Sequence, residues 1–146
     1  MKISTKGRYG VRLMLELALH YGQGPVFLKD IAEKQDISEK YLWQLISSLK
    51  AAGLVNSLRG AHGGYILAKS PAQVTLKDIV LILEGSLSAV ECVEVPQGCV
   101  RMQMCITRDV WKEVSEKIAH VLESITLQQM VDRQHQKEAQ CQLYSI

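Results

Sequence analysis

The chain has 146 residues, 47% hydrophobic and 22% charged, the proportions of an ordinary soluble globular protein with room for one packed domain and an extension. Its net charge of +2 divides unevenly: residues 1–70 carry ten Lys/Arg against five Asp/Glu (+5), and residues 71–146 carry seven against ten (−3), so the first half is the one suited to a polyanion. No apolar run approaches the roughly eighteen residues of a membrane span and the opening MKISTKGRYG lacks the apolar stretch of a secretory signal, so the expected location is the cytoplasm, with no membrane partner.

Ser4 or Thr5 can cap a first helix running to about Tyr21. Gly10, Leu13, Met14, Leu17, Ala18 and Tyr21 recur at helical spacing and give it one face to bury. Lys2, Lys6, Arg8 and Arg12 gather at its start, where cations and the helix N-terminus can together hold a phosphate, or else form a plain solvated end. Gly22-Gln23-Gly24-Pro25 ends the helix, and a short one follows over Leu28–Lys34 with Leu28, Ile31 and Ala32 inward. Gln35-Asp36-Ile37 turns the chain, Ser38 caps a third helix over Glu39–Ala52, and Gly53 closes it. Leu42, Leu45, Ile46 and Leu49 form its inner face, leaving Glu39, Lys40, Trp43, Gln44 and Ser47 outside.

Two helices joined by a tight turn make a helix-turn-helix, although such a pair is also a common packing unit. In a DNA reader, Gln44 can pair with an adenine edge and Lys40 can reach guanine or phosphate. Leu54–Leu58 then alternates as a strand, Arg59 to Gly64 forms a glycine-rich turn, and Tyr65–Ala68 returns as a second strand. The expected fold is therefore mainly α with a small β-hairpin wing: a winged helix-turn-helix domain followed by a long helix. Gly60, Gly63 and Gly64 permit a tight tip from which Arg59 can enter a minor groove, and the layout favours that contact over a merely exposed charge. Thr75, with Asp78 completing a capping box, starts a helix through Glu84 whose Leu76, Ile79, Val80 and Leu83 face the wing domain.

The segment Glu91–Cys105, ECVEVPQGCVRMQMC, places Cys92, Cys99 and Cys105 in the spacing C-x6-C-x5-C. Pro96 and Gly98 break regular structure there, so the segment reads as an irregular loop that thiolate ligation of a metal or cluster would order. In a reducing cytoplasm such thiols serve as ligands or redox sensors rather than disulfides. The spacing lacks the paired C-x2-C of structural zinc sites and suits an iron–sulfur cluster, with zinc and directly oxidised thiols as the other options. Cys141 reads as incidental.

A long helix is predicted from about Ile106 to Ser124, striped by Trp111, Val114, Ile118, Val121, Leu122 and Ile125. The stripe can rest on its own domain or pair with its twin. A winged-helix reader uses two half-sites and an uncovered stripe would expose much apolar surface, so homodimerisation is the expectation. A short helix, Leu127–Asp132, and a loosely held polar tail from Arg133 complete the chain. His20, His62, His120 and His135 are scattered and no nucleophile–base pair is visible, so the chain is not expected to be an enzyme.

The opening MKISTKGRYGVRLMLELAL, the segment ISEKYLWQLISSLKAAGLV, the wing LRGAHGGYILAK, the three cysteines and ITLQQMV together resemble the Rrf2 family of winged-helix regulators over nearly the whole length, its iron–sulfur branch most of all. The resemblance implies a homodimeric, DNA-binding transcriptional repressor. It would read double-stranded operator DNA with Ser38, Lys40, Tyr41, Trp43, Gln44 and Ser47, with Arg59 and Gly60 of the wing, and with Lys6 and Arg8. It also implies a 2Fe–2S cluster on Cys92, Cys99 and Cys105, with an iron–sulfur assembly scaffold as donor, and control of cluster-biogenesis genes. Nitric-oxide- or redox-sensing regulators and cluster-free cysteine-metabolism repressors are the alternatives within the family. The implied organisation is a DNA-binding domain over 1–85, a cluster loop over 86–105, a dimerisation helix and short helix over 106–132 and a flexible tail over 133–146.

The chain departs from that branch in two places. Arg108 stands where a histidine commonly follows the third cysteine, which leaves Asp109, Glu91, a histidine or the partner subunit as the fourth ligand. The nitric-oxide-sensing branch uses a carboxylate near the N-terminus, a region where this chain has Arg8. Trp43 replaces a common glutamate on the reading helix, and by touching a thymine methyl or stacking on sugar it would change the operators accepted.

Overall fold

The computed structural model describes residues 2–95, 97 and 99–145. Pro96 and Gly98, the predicted breakers of the cysteine loop, lie outside the described residues. Helix α1 (Thr5–Leu19) begins where Ser4 Oγ accepts the Gly7 N–H. It buries Gly7, Gly10, Leu13, Met14, Leu17 and Ala18, close to the expected face, and Glu16 as well. Tyr21 does not extend that face. The helix stops at Leu19, the chain turns through Gly22 and Gly24 at positive φ, and Tyr21 is left 51% exposed.

Helix α2 (Leu28–Gln35) ends on Asp36 in the left-handed conformation. Helix α3 (Glu39–Ala51) starts where Ser38 Oγ accepts the Tyr41 N–H, and it buries Leu42, Leu45, Ile46 and Leu49. Strands β1 (Val55–Leu58) and β2 (Gly64–Leu67) pair antiparallel, with Val55 opposite Leu67 and Leu58 opposite Gly64. Tyr65 also exchanges both backbone hydrogen bonds with Val26, at 2.9 Å each, which pins the hairpin to the segment before α2. Gly64 is needed there: its φ is +142°, and a Cβ would meet the Val26 carbonyl oxygen at 2.6 Å.

Helix α4 (Leu76–Glu84) has the expected Thr75–Asp78 capping box. It crosses α1 closely, because a Cβ at Gly10 would stand 1.9 Å from Leu83 Cδ1 and one at Gly7 2.3 Å from Glu84 Oε1. Two side-chain-free positions one turn apart thus set the distance between these helices. One apolar core joins α1 to α4, the hairpin, and Leu127 and Val131 of α7 (Leu127–Tyr144).

Two expectations need correction. The end of the chain is not a short helix with a loose tail, since α7 runs unbroken to Tyr144. Thr126 and Gln129 form a capping box at its start, no Gly or Pro interrupts it, and Gln134 donates to Glu138 one turn on at 2.8 Å. The cysteine segment is not wholly irregular either: Glu91–Glu94 makes one helical turn, α5, and Cys92 lies on it.

Helix α6 (Ile106–Glu123) lies against α4 but buries only Ser115 fully. Ile106, Val110, Trp111 and Val121 are 44–71% exposed, so this helix keeps an uncovered apolar side. No helix among the described residues is long and apolar enough to cross a membrane.

Candidate nucleic-acid interface and cysteine segment

The outer face of α3 carries Lys40, Trp43, Gln44 and Ser47, all exposed, with Trp43 at 55%. Ser38 spends its hydroxyl on the cap and Ser47 donates its own back to the Trp43 carbonyl at 2.8 Å, so Lys40, Trp43 and Gln44 are the groups with free reach. Tyr41 is half-buried, its ring edge-on to Tyr9 of α1 with centroids 5.9 Å apart. Arg59 and Gly60 are exposed at the wing tip, where Gly60 takes φ +109°, and Gly63 is buried against the carbonyls of Leu58 and Gly60.

Lys6 and Arg8 are exposed on the first turns of α1. The N-terminus of that helix is not open to a phosphate, however. Glu84 Oε1 accepts the Ser4 N–H at 2.9 Å and the Ser4 hydroxyl at 2.5 Å, so a carboxylate of the chain's own already sits there.

Arg12 is not part of the solvated basic end either. Its Nε donates to Gln35 Oε1 at 2.8 Å, its Nη2 donates to the Gln35 carbonyl, and its guanidinium lies 5.2 Å from the Tyr9 ring centre. Gln35 in turn donates to Glu16, which is 3% exposed and also accepts Lys34 Nζ at 2.9 Å. Sequence reasoning missed this cluster. Glu16 lies among apolar residues in α1, and the one available signal was a carboxylate placed where an amphipathic helix should be apolar.

The cysteines are brought part of the way together. Cys92 and Cys99 line one cavity of about 340 Å³ with Glu91 and Val95. Cys105 occupies the N-cap of α6 and shares a 3.2 Å hydrogen bond with Thr107 Oγ1. That hydroxyl, and then the Arg108 backbone N–H, hold the Cys105 thiol below its ordinary pKa. Arg108 Nε donates to the Cys92 carbonyl at 3.1 Å, fastening α5 to the first turn of α6. Two residues before α5 begins, the Ala89 N–H donates to Ser115 Oγ at 2.9 Å, and that hydroxyl donates to the Trp111 carbonyl. Among the described residues no three His, Cys, Asp or Glu side chains converge as a metal cage. The donor set is chemically suited to soft-metal or cluster ligation, while its gathering is incomplete. Arg108, whose guanidinium offers only donors, is no ligand, and Glu91 is the carboxylate that shares a cavity with two of the thiols.

Comparison with known proteins places these features in context. The family model described as "Rrf2: Iron-dependent Transcriptional regulator" matches residues 3–133. CymR of Bacillus subtilis is 45% identical over 130 residues, covering 89% of each chain. IscR of Photorhabdus laumondii is 40% identical over 134 residues, covering 92% of this chain and 81% of that one. The solved structure of B. subtilis CymR, titled the global cysteine regulator, superposes with a TM-score of 0.77 at 44% identity over 91% of this chain and 98% of its own. That of T. potens IscR superposes with a TM-score of 0.75 at 48% identity over 91% and 88%.

Proposed function

We propose that this chain, which belongs to the Rrf2 family of transcriptional regulators, is a homodimeric operator-DNA-binding repressor that senses iron–sulfur status through a 2Fe–2S cluster. In this reading α3 enters the major groove and presents Lys40, Trp43 and Gln44 to base edges and phosphates. Arg59 and Gly60 approach the neighbouring minor groove, and Lys6 and Arg8 contact the backbone, within a fold whose first half is basic. The uncovered side of α6 is the surface that a second copy covers.

Cys92, Cys99 and Cys105 would hold the cluster, with Glu91 as the favoured fourth ligand because it already shares a cavity with Cys92 and Cys99. When bound, such a cluster supplies a thiolate-ligated iron centre that oxidant, nitric oxide or iron scarcity takes apart. The chain's own part is mechanical. Arg108 and Ser115 fasten the segment carrying Cys92 to α6, and α6 lies on α4, which crosses α1 at the two glycines. A change in how the thiols are held is therefore passed to the separation and tilt of two reading heads. Genes of cluster biogenesis are the expected targets, and an iron–sulfur scaffold is the expected donor.

The observation that carries this reading is Cys92 and Cys99 on one cavity with Cys105 at the adjoining helix cap, all within a family described as iron-dependent. A second reading has its own support. The 45% identity to CymR and the incomplete gathering of the thiols favour a cysteine-metabolism repressor that works without a cluster.

Anaerobic purification followed by an absorption spectrum with iron and sulfide analysis separates the two. Visible charge-transfer bands with about two iron and two sulfide per chain, lost in a triple Cys→Ala variant, are the expected result. A colourless chain that also resists reconstitution would move the function to the second reading. Identical electrophoretic shifts for holo protein and the triple variant on every duplex tested would remove the coupling between cluster and DNA.

A further inference from the structure

We propose that Arg12 is a positioning residue for DNA reading: it locks the turn of the helix-turn-helix to α1 and, through Tyr9, fixes the half-buried Tyr41 at the start of α3. This rests on the DNA-reading function proposed above and deepens it. Arg12 follows the basic run at the N-terminus, and its charge by itself would suggest another phosphate contact. Its geometry says otherwise.

The guanidinium is engaged on two sides. One is Gln35, the last residue of α2, through both the side-chain oxygen and the main-chain carbonyl. A cation at that carbonyl also complements the negative end of α2 just before the chain reverses at Asp36. The other is the Tyr9 ring, which meets Tyr41 at an interplanar angle of 89°. Gln35 is held in turn by Glu16, whose buried carboxylate is satisfied by Gln35 and Lys34.

An unbroken line of contacts therefore runs from the interior of α1 to the last residue of α2, back through Arg12 and Tyr9 of α1, and on to Tyr41 in the first turn of the reading helix. Only an arginine fits, because the forked, planar group must donate along two directions while stacking on a ring. A lysine keeps the charge and loses the fork. Positioning of this kind affects which sequence is read, whereas a phosphate contact affects binding to every sequence.

The test uses the full-length chain, the duplex that the wild-type protein enriches from a random-sequence pool, and a scrambled duplex of equal length. Affinities are measured by fluorescence anisotropy over a range of salt. For Arg12→Lys the enriched duplex should bind about tenfold more weakly, with the scrambled duplex and the salt slope unchanged. Tyr9→Leu should behave alike, and Tyr9→Phe, which keeps the ring, should behave as wild type; this pair decides the matter even if Arg12→Lys fails to fold. The proposal is overturned if both Arg12→Lys and Tyr9→Leu keep full discrimination. It is overturned equally if Arg12→Gln, which removes the charge, weakens both duplexes together and lowers the salt slope by about one phosphate. A wild-type chain that enriches no sequence would instead overturn the DNA-reading function, and this proposal with it.

Discussion

The winged-helix head and the cysteine-bearing half of this molecule are built on opposite terms. In the head, Leu13, Met14, Leu42, Leu49, Val55 and Ile79 are wholly buried, and α1 and α4 approach so closely that two glycines are required. In the other half, α6 buries only Ser115 fully, while Val100 and Met104 of the cysteine segment are essentially bare. A domain whose apolar faces meet one another is complete in itself. A helix with an uncovered apolar side, beside a segment of half-gathered thiols, leaves apolar surface and donor groups that its own domain does not satisfy, and these are what the proposed second copy and cluster would engage.

That contrast can be broken by experiment. Leu42→Ala should cost the fold about 2–5 kcal/mol in urea unfolding, whereas Met104→Ala should stay within roughly 0.5 kcal/mol of wild type. Similar losses for both would mean that the cysteine segment is packed after all. Trp111→Glu, on the uncovered side of α6, should weaken self-association by about 2 kcal/mol, or roughly thirtyfold in sedimentation equilibrium, with the helical circular dichroism of the head retained. A variant that stays as dimeric as wild type would show that α6 is not the surface between copies.

The smallest effect concerns one thiol. Because Cys105 is held below its ordinary pKa, chiefly by Thr107, its reactive thiolate should persist as the pH falls past the value for a free thiol. In metal-free protein the pH profile of its alkylation by iodoacetamide should lie below that of the same residue in urea. Thr107→Val should move the profile upward, and a profile unmoved by that substitution would remove the hydroxyl from the account.

Much of the architecture was legible because periodicity and capping are local. The faces of α1 and α3, the caps at Ser38 and Thr75, the hairpin and the span of α6 follow from spacing and from short-range hydrogen bonding, which a linear reading contains. The full length of α7 was missed because a polar stretch was read as loose. Its helix-favouring composition and Thr126 cap, anchored at Leu127 and Val131, carry the helix on to Tyr144. Arg12 was grouped with the basic end, and the Glu16 cluster was missed, for a related reason: their partners lie 18 to 23 residues away, and nothing in the local pattern distinguishes a stapled arginine from a solvated one.

The amino-acid sequence by itself determined a winged helix-turn-helix with a three-cysteine segment and a long apolar-striped helix, since each rests on residue type and short-range spacing. Only the tertiary structure decided that Glu84 fills the N-terminus of α1, that Arg12 turns inward to the end of α2, and that Glu91 is the carboxylate beside Cys92 and Cys99. Each of these depends on which distant groups the packed helices bring within a few ångströms, and that is set by the core as a whole.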